Sequence, residues 1–145
     1  MSTYRLAHVV WECKYHVVLV PKYRYGVFTK EVREAVRDEI KKLCQWLQVI
    51  IVEGHVCKDH VHLCLAIPPK YSASEVMATV KGKSAIRLFN RFPELRKKYW
   101  GNHFWSRGYY ISTVGMNEEQ IKQYIKDQDK LDRIENQGRL FVKQV

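Results

Sequence analysis

The stretch "KDHVHLCLAI" (residues 58–67) places two histidines one residue apart at the start of an apolar run. Side chains alternate between the two faces of a β-strand, so His60 and His62 share one face with Cys64 and Ala66. The other face carries only bulky apolar side chains: Val61, Leu63, Leu65 and Ile67. We expect the apolar face to pack against helices and the histidines to lie about 7 Å apart on the open face of a sheet.

A His-x-His pair alone leaves several interpretations open. Two imidazoles on one strand face can bind a single metal ion, and they can equally be solvated or hydrogen-bonded residues without a ligand. Cys57 and Cys64 lie nearby in the sequence, so a structural zinc site is a further alternative. Such a site normally has four nitrogen or sulfur ligands, and Cys57 falls on a turn.

The segments around this strand predict the order β-α-β-β-α-β-α. The predicted strands are residues 9–20, 49–56, 60–67 and 104–113, and the predicted helices are 29–47, 72–90 and 118–133. Polar capping residues mark the three helix starts: Thr29, the Ser72–Glu75 capping box, and Asn117 with Gln120. The first six elements indicate an α+β, ferredoxin-like fold, in which two helices cover one face of an antiparallel sheet and the histidine strand is central. The last helix is additional, and the tail from residue 134 to 145 is weakly specified.

Length and composition predict a single globular domain over residues 1–145. No apolar run approaches the roughly 20 residues that cross a membrane, and the N-terminus lacks the features of a signal peptide. The four cysteines are dispersed without a Cys-x-x-Cys pair, which favours reduced thiols in a cytoplasmic protein over a disulfide framework.

Charge is the strongest compositional signal for a partner. The chain has 25 Lys and Arg against 15 Asp and Glu, a net charge of +10. Seven basic residues and one acid lie between Lys81 and Lys98, and the segment "PKYRYGVFTK" (residues 21–30) mixes basic and aromatic residues. Basic surfaces attract phosphate backbones and interleaved aromatic rings can stack on unpaired bases, so this pattern favours nucleic-acid binding over a merely solvated basic face.

The last predicted helix has a face that carries functional groups. Tyr124 and Gln128 are four residues apart and therefore lie on one side of the helix, beside an apolar stripe of Ile121 and Ile125. Such residues are usually packing or solvated groups. This helix nevertheless has no assigned packing surface, and the sheet has an uncovered face. If the two meet, Tyr124 and Gln128 approach the histidine pair.

Taken together, these segments resemble one family of DNA-processing enzymes. The chain resembles the small single-tyrosine transposases of the IS200/IS605 group, which are HUH endonucleases with the signature His, hydrophobic residue, His, here residues 60–62. The matching segments cover nearly the whole chain in order: "PKYRYG" followed by "VFTK", "KDHVHLCLAIPPKYS", "KGKSAIRLF", "FWSRGYYISTVG" and "YIKDQ".

The resemblance implies a metal-dependent transposase with a tyrosine nucleophile. His60, His62 and Gln128 would hold one Mg²⁺ or Mn²⁺ ion, which would act as a Lewis acid on the scissile phosphate. Tyr124 would attack the phosphorus and form a 5′-phosphotyrosine with a free 3′-OH. A phenol with the ordinary tyrosine pKa of about 10 needs activation for this role.

The resemblance also implies the partners. The substrate would be single-stranded DNA with subterminal hairpins. The active form would be a homodimer in which the tyrosine helix of one subunit can complete the histidine site of the other. Gly115, just before this helix, is a candidate pivot. The candidate DNA contacts are Lys22, Arg24, Lys81, Lys83, Arg87, Arg91 and Arg107. The alternatives are a domesticated relative that cuts REP hairpins, a non-catalytic nucleic-acid-binding module, and a metal-dependent nuclease that uses water.

Overall fold

The computed structural model describes residues 3–6, 8–22, 28–98, 103–115 and 117–144, and the side chains of Leu6, Lys98 and residues 132–144 fall outside that description. The strands are β1 (Tyr4–Leu6), β2 (Val9–Trp11), β3 (Lys14–Leu19), β4 (Ile50–Val56), β5 (Val61–Ala66) and β6 (Tyr110–Ser112). The helices are α1 (Lys30–Leu47), α2 (Ala73–Arg91), α3 (Pro93–Lys98) and α4 (Glu118–Gln144).

Four of the strands form one antiparallel sheet in the order β4-β5-β3-β6. The two central strands are β3 and β5, and their register sets Val18 opposite His62 and His16 opposite Cys64. The predicted α+β fold and the central position of the histidine strand are therefore confirmed.

One face of this sheet packs against α1 and α2. The apolar residues predicted for that face, Val61, Leu63, Leu65 and Ile67, all belong to the main hydrophobic core. Leu65 is fully buried, and burying a side chain of this kind stabilises the fold by about 1.5–3 kcal/mol. The opposite face carries His62, which is half-buried. The alternation in residues 60–67 thus predicted the two faces correctly.

The helix starts are also as predicted. Thr29 Oγ1 accepts a hydrogen bond from Val32 N at the start of α1, and the capping box of Ser72 and Glu75 is complete at the start of α2. Asn117 Oδ1 accepts from Gln120 N, 2.8 Å away, at the start of α4. These side chains satisfy backbone N–H groups that have no partner within the helix.

The prediction of one strand over residues 9–20 was wrong. Val9–Trp11 pairs with Tyr4–Leu6 in a separate two-stranded hairpin, and only Lys14–Leu19 joins the main sheet. The stacked rings of Tyr4 and Trp11, with centroids 4.7 Å apart, stabilise this hairpin. A continuous β-rich sequence therefore divides between two sheets.

The prediction of one strand over residues 104–113 was also wrong. Trp105 makes an isolated bridge with Pro21, and regular pairing resumes only at Tyr110–Ser112. Between them Gly108 adopts a φ of 83°, a left-handed conformation that glycine accepts without strain and that interrupts the ladder.

Two helical segments went beyond the predicted pattern. Pro93–Lys98 forms the short helix α3 between the second predicted helix and the fourth predicted strand, where no element was predicted. The last helix continues past residue 133 to Gln144, through the tail that the sequence specified weakly.

Candidate active site

The face of the sheet opposite α1 and α2 carries a concentrated group of polar side chains. Residues directly opposite each other in antiparallel strands share a face. One row across the four strands therefore consists of His55, His62, Val18 and Tyr110, and the next row of Glu53, Cys64, His16 and Ser112. With strands about 4.8 Å apart, each row is about 14 Å long. We call this surface the histidine face.

His60 stands at the tip of the β4–β5 hairpin. Cys57 N donates to His60 O over 2.8 Å, which closes the hairpin around Lys58 and Asp59. Nδ1 of His60 lies 2.9 Å from Oδ1 of Asp59. With Nδ1 as the donor, Nε2 is the nitrogen that can bind a ligand, and the carboxylate fixes the orientation of the ring.

His62 lies two residues further along, on the histidine face. Burial, and then the nearby charges of His16, His60 and His55, hold the pKa of His62 below its ordinary value of 6.5. The neutral imidazole is therefore favoured at neutral pH, and this is the form that binds metal ions.

His16 is a member of this face that our sequence reasoning missed. Its ring centroid lies 5.8 Å from that of His62, and its Nε2 lies 4.0 Å from Sγ of Cys64. Nδ1 of His16 is buried, and no described residue hydrogen-bonds to it. The sequence did contain a signal, because His16 alternates with the buried residues Val17 and Leu19 and must point away from them.

The last helix turns Tyr124 and Gln128 toward the protein. Gln128 is 8% exposed, Tyr124 is half-buried, and the intervening residues Lys126 and Asp127 are exposed. The ring of Tyr124 meets the ring of Tyr110 edge to face, with centroids 5.7 Å apart and an interplanar angle of 76°. Because Tyr110 shares a row with His62, the tyrosine of α4 packs on a residue of the histidine face.

The three predicted metal ligands carry donor atoms of the kinds that bind a small divalent cation. His60 can offer Nε2, His62 favours its neutral form, and Gln128 can offer an amide oxygen. No group of three His, Cys, Asp or Glu side chains within the described ranges is arranged to hold a metal. The zinc alternative gains no support, because Cys57 lies at the hairpin tip and Cys64 well along β5.

Three of the predicted DNA contacts meet at one cavity, although they came from separate parts of the sequence. Lys22, Lys81 and Arg107 line a cavity of about 300 Å³ between α2 and the segment before β6. Lys22 is only 4% exposed. Lys81 Nζ donates to the carbonyl oxygens of Ser106 and Gly108, over 2.9 and 2.7 Å. Lys22 is therefore buried and Lys81 is held by backbone oxygens, and both stay predicted DNA contacts.

The other predicted DNA contacts are distributed differently. Arg87 and Arg91 form ion pairs with the buried carboxylate of Glu39, over 3.4 and 3.2 Å, which offsets part of their charge. Lys83 lies over the exposed ring of Trp46, 5.5 Å from its centroid. Arg24 lies outside the described residues.

The sequence of this chain is similar to those of known transposases. The family described as "Transposase IS200 like" matches residues 9–128. The transposase for insertion sequence element IS200 of Salmonella typhimurium is 48% identical over 132 residues, which cover 91% of this chain and 87% of that protein. The ISDra2 transposase TnpA of Deinococcus radiodurans is 33% identical over 120 residues, 82% of this chain and 86% of that one.

Solved structures give the same picture of the fold. A crystal structure of a candidate transposase from Deinococcus radiodurans superposes with a TM-score of 0.75 at 30% identity, covering 86% of this chain and 97% of that one. The structure of a REP-associated tyrosine transposase bound to a REP hairpin superposes with a TM-score of 0.53 at 15% identity, a likeness of fold alone. Among the described residues, no helix is long and apolar enough to cross a bilayer.

Proposed function

The chain belongs to the IS200-like transposase family, and from that premise we propose that it cleaves and rejoins single-stranded DNA through a covalent bond to Tyr124. The DNA would carry subterminal hairpins at the ends of an insertion sequence. We place the reaction in the cytoplasm, where such DNA is found and cysteine thiols stay reduced.

The contact between Tyr124 and Tyr110 is the observation that carries this proposal. Their ring centroids are 5.7 Å apart, and Tyr110 shares a row of the sheet with His62 through Val18. Two strand spacings, about 10 Å, separate the backbones of Tyr110 and His62. The cation and the phosphate group would lie between the histidines and the phenol, over Val18 of β3.

The proposed step is a transesterification at phosphorus. The phenolic oxygen of Tyr124 forms a bond to the scissile phosphorus, the bond from phosphorus to the 3′ oxygen breaks, and the phenolic proton leaves to solvent while the 3′ oxygen gains one. The 5′ phosphate remains on the tyrosine. Because the phosphodiester bond energy is kept in this linkage, a second 3′-OH can reverse the step without ATP.

His60, His62 and Gln128 are the proposed ligands of a divalent cation, Mg²⁺ or Mn²⁺. When bound, such an ion withdraws charge from the phosphate oxygens and orients them. Asp59 would act through His60, because its hydrogen bond to Nδ1 keeps Nε2 directed at the ligand.

The test is covalent capture of labelled DNA. Wild-type protein, Mg²⁺ and a hairpin oligonucleotide from an element end should give a band of reduced mobility on a denaturing gel. Tyr124→Phe should reduce that band at least about 1,000-fold while DNA binding in a native gel stays within about twofold. Tyr109→Phe is the matched control, because it removes the hydroxyl of the tyrosine that precedes Tyr110 in the sequence, and it should retain the band. A covalent band from Tyr124→Phe would refute the assignment.

We further propose a homodimer in which α4, which packs Tyr124 on Tyr110 within one chain, can exchange and complete the partner's histidine site. The exposed residues Thr113, Val114 and Gly115 lead into α4, and an exposed connection favours such an exchange. Mixing Tyr124→Phe with His62→Ala protein should restore about a quarter of the wild-type adduct if the sites form in trans. No adduct from the mixture would show that each subunit uses its own tyrosine.

A further inference from the structure

The cavity between α2 and the segment before β6 lies apart from the histidine face. Its lining includes Lys22, three residues after the end of β3, Arg107, and Lys81, Ala85 and Ile86 of α2. α2 packs on the apolar face of the sheet through Val76, Met77 and Val80, whereas the histidines lie on the opposite face. Strand β6 is the edge of the sheet between them. We call this space the Lys22 cavity.

The charge around the Lys22 cavity is of one sign. The lining residues include Lys22, Lys81, His103 and Arg107, and no Asp or Glu is among those that the structure describes. Burial holds the pKa of Lys81 below its ordinary value of 10.5, because removing an ammonium group from water disfavours its charge. The Lys81 ammonium donates to the carbonyl oxygens of Ser106 and Gly108 and lies 5.8 Å from the centroid of the Tyr109 ring, which fixes its position at the cavity.

The apolar part of the lining consists of Ala85, Ile86, Phe104 and Trp105. Phe104 is fully buried and Trp105 nearly so, and Trp105 Nε1 donates to Ser84 Oγ over 2.9 Å. Ile86, 61% exposed, stands at the opening. The volume of about 300 Å³ is at the lower end of the range of roughly 300–1,000 Å³ found for small-molecule sites. Cationic side chains in one part of this lining and apolar ones in another are the chemistry that would recognise a single nucleotide.

We propose that the Lys22 cavity binds one nucleotide of the DNA substrate, with its phosphate against Lys22, Lys81 and Arg107 and its base against the apolar wall. The choice of DNA as the ligand rests on the proposed function. The cavity then anchors the strand on one side of β6 while cleavage takes place on the other.

The test measures the affinity for a hairpin oligonucleotide by fluorescence anisotropy over a range of salt concentrations. Lys81→Met removes one phosphate contact, so we expect about tenfold weaker binding and a salt slope smaller by about one. Ile86→Glu places a carboxylate at the opening, where an exposed side chain tolerates substitution, and should also weaken binding about tenfold. Matched controls elsewhere, Lys42→Met and Val10→Glu, should change the Kd less than about twofold.

Equal affinities for wild type, Lys81→Met and Ile86→Glu would overturn the proposal.

Inorganic phosphate distinguishes a DNA phosphate from a free one. If millimolar phosphate raises the Tm of wild type but not of Lys81→Met, and DNA affinity is unchanged in both cavity variants, the cavity takes free anions and the proposal is wrong. The covalent assay keeps the two hypotheses separate. Loss of DNA affinity in the cavity variants without any wild-type adduct would refute the tyrosine chemistry and leave the cavity assignment standing.

Discussion

Glu39 offers a direct test of how much its ion pairs with Arg87 and Arg91, two predicted DNA contacts, stabilise the fold. Its side chain is 6% exposed and accepts from Arg87 over 3.4 Å and from Arg91 over 3.2 Å, whereas the two arginines are 44% and 42% exposed. A hydrogen bond to a charged group contributes about 1.5–3 kcal/mol when buried, and exposed pairs contribute about 0.2–1 kcal/mol. We therefore assign about 1 kcal/mol or less to each half-exposed contact and expect Glu39→Gln to lose about 1–2 kcal/mol.

The assay is urea unfolding followed by circular dichroism, with thermal unfolding alongside it. For a chain of 145 residues, the expected loss corresponds to a Tm lower by about 3–6 °C. Glu34→Gln is the matched control, because Glu34 is an exposed acid of the same helix, and it should stay within about 0.5 kcal/mol of wild type. Equal stabilities of Glu39→Gln and Glu34→Gln would refute the reasoning, because the ion pairs of Glu39 would then contribute nothing measurable to the fold.

Three further predictions concern hydrogen bonds and titration. Ser84→Ala leaves the buried Nε1 of Trp105 without its acceptor, so the unfolding free energy should fall by about 1–3 kcal/mol; an unchanged value would contradict this bond. Ser72→Ala breaks the capping box of α2 and should cost about 0.5–2 kcal/mol in the same measurement. NMR titration should give His62 a pKa below 6.5, and His16→Asn should raise it because one neighbouring positive charge is gone. The unfolded chain then binds a proton on His62 more readily than the folded protein does. The free energy of unfolding should therefore be highest with respect to this group above pH 6.5, and it should fall as the pH drops through the folded-state pKa. A pKa of His62 at or above 6.5 in the folded protein would contradict this prediction.

The sequence predicted the core of this fold because its signals there are local and consistent. Strict alternation around His62 assigned both faces of the central strand, and the capping side chains Thr29, Ser72 and Asn117 marked three helix starts. The split of residues 9–20 could not be predicted in the same way. Both halves are rich in β-forming residues, and only the pairing of Val9–Trp11 with Tyr4–Leu6 separates them.

The sequence predicted only those neighbours in the site that lie on the same strand or on the same face of a helix. His60 with His62, and Tyr124 with Gln128, follow from periods of two and about four residues. His16 was missed because its position beside His62 depends on the register between two strands. The Lys22 cavity was missed because the approach of Lys22 to Lys81 depends on how α2 packs against the end of β3.

The identity of the residue that carries the DNA is the most direct test of the central claim. Wild-type protein is trapped with a hairpin oligonucleotide and Mg²⁺, the DNA is trimmed with nuclease, and the protein is digested with trypsin. Cleavage after Lys122 and Lys126 releases residues 123–126, in which Tyr124 is the only tyrosine. The account predicts a nucleotide mass on Tyr124 in this peptide, lost when His62 is replaced by Ala. A nucleotide mass on any other peptide, or cleaved DNA with no covalent mass on the protein, would contradict it.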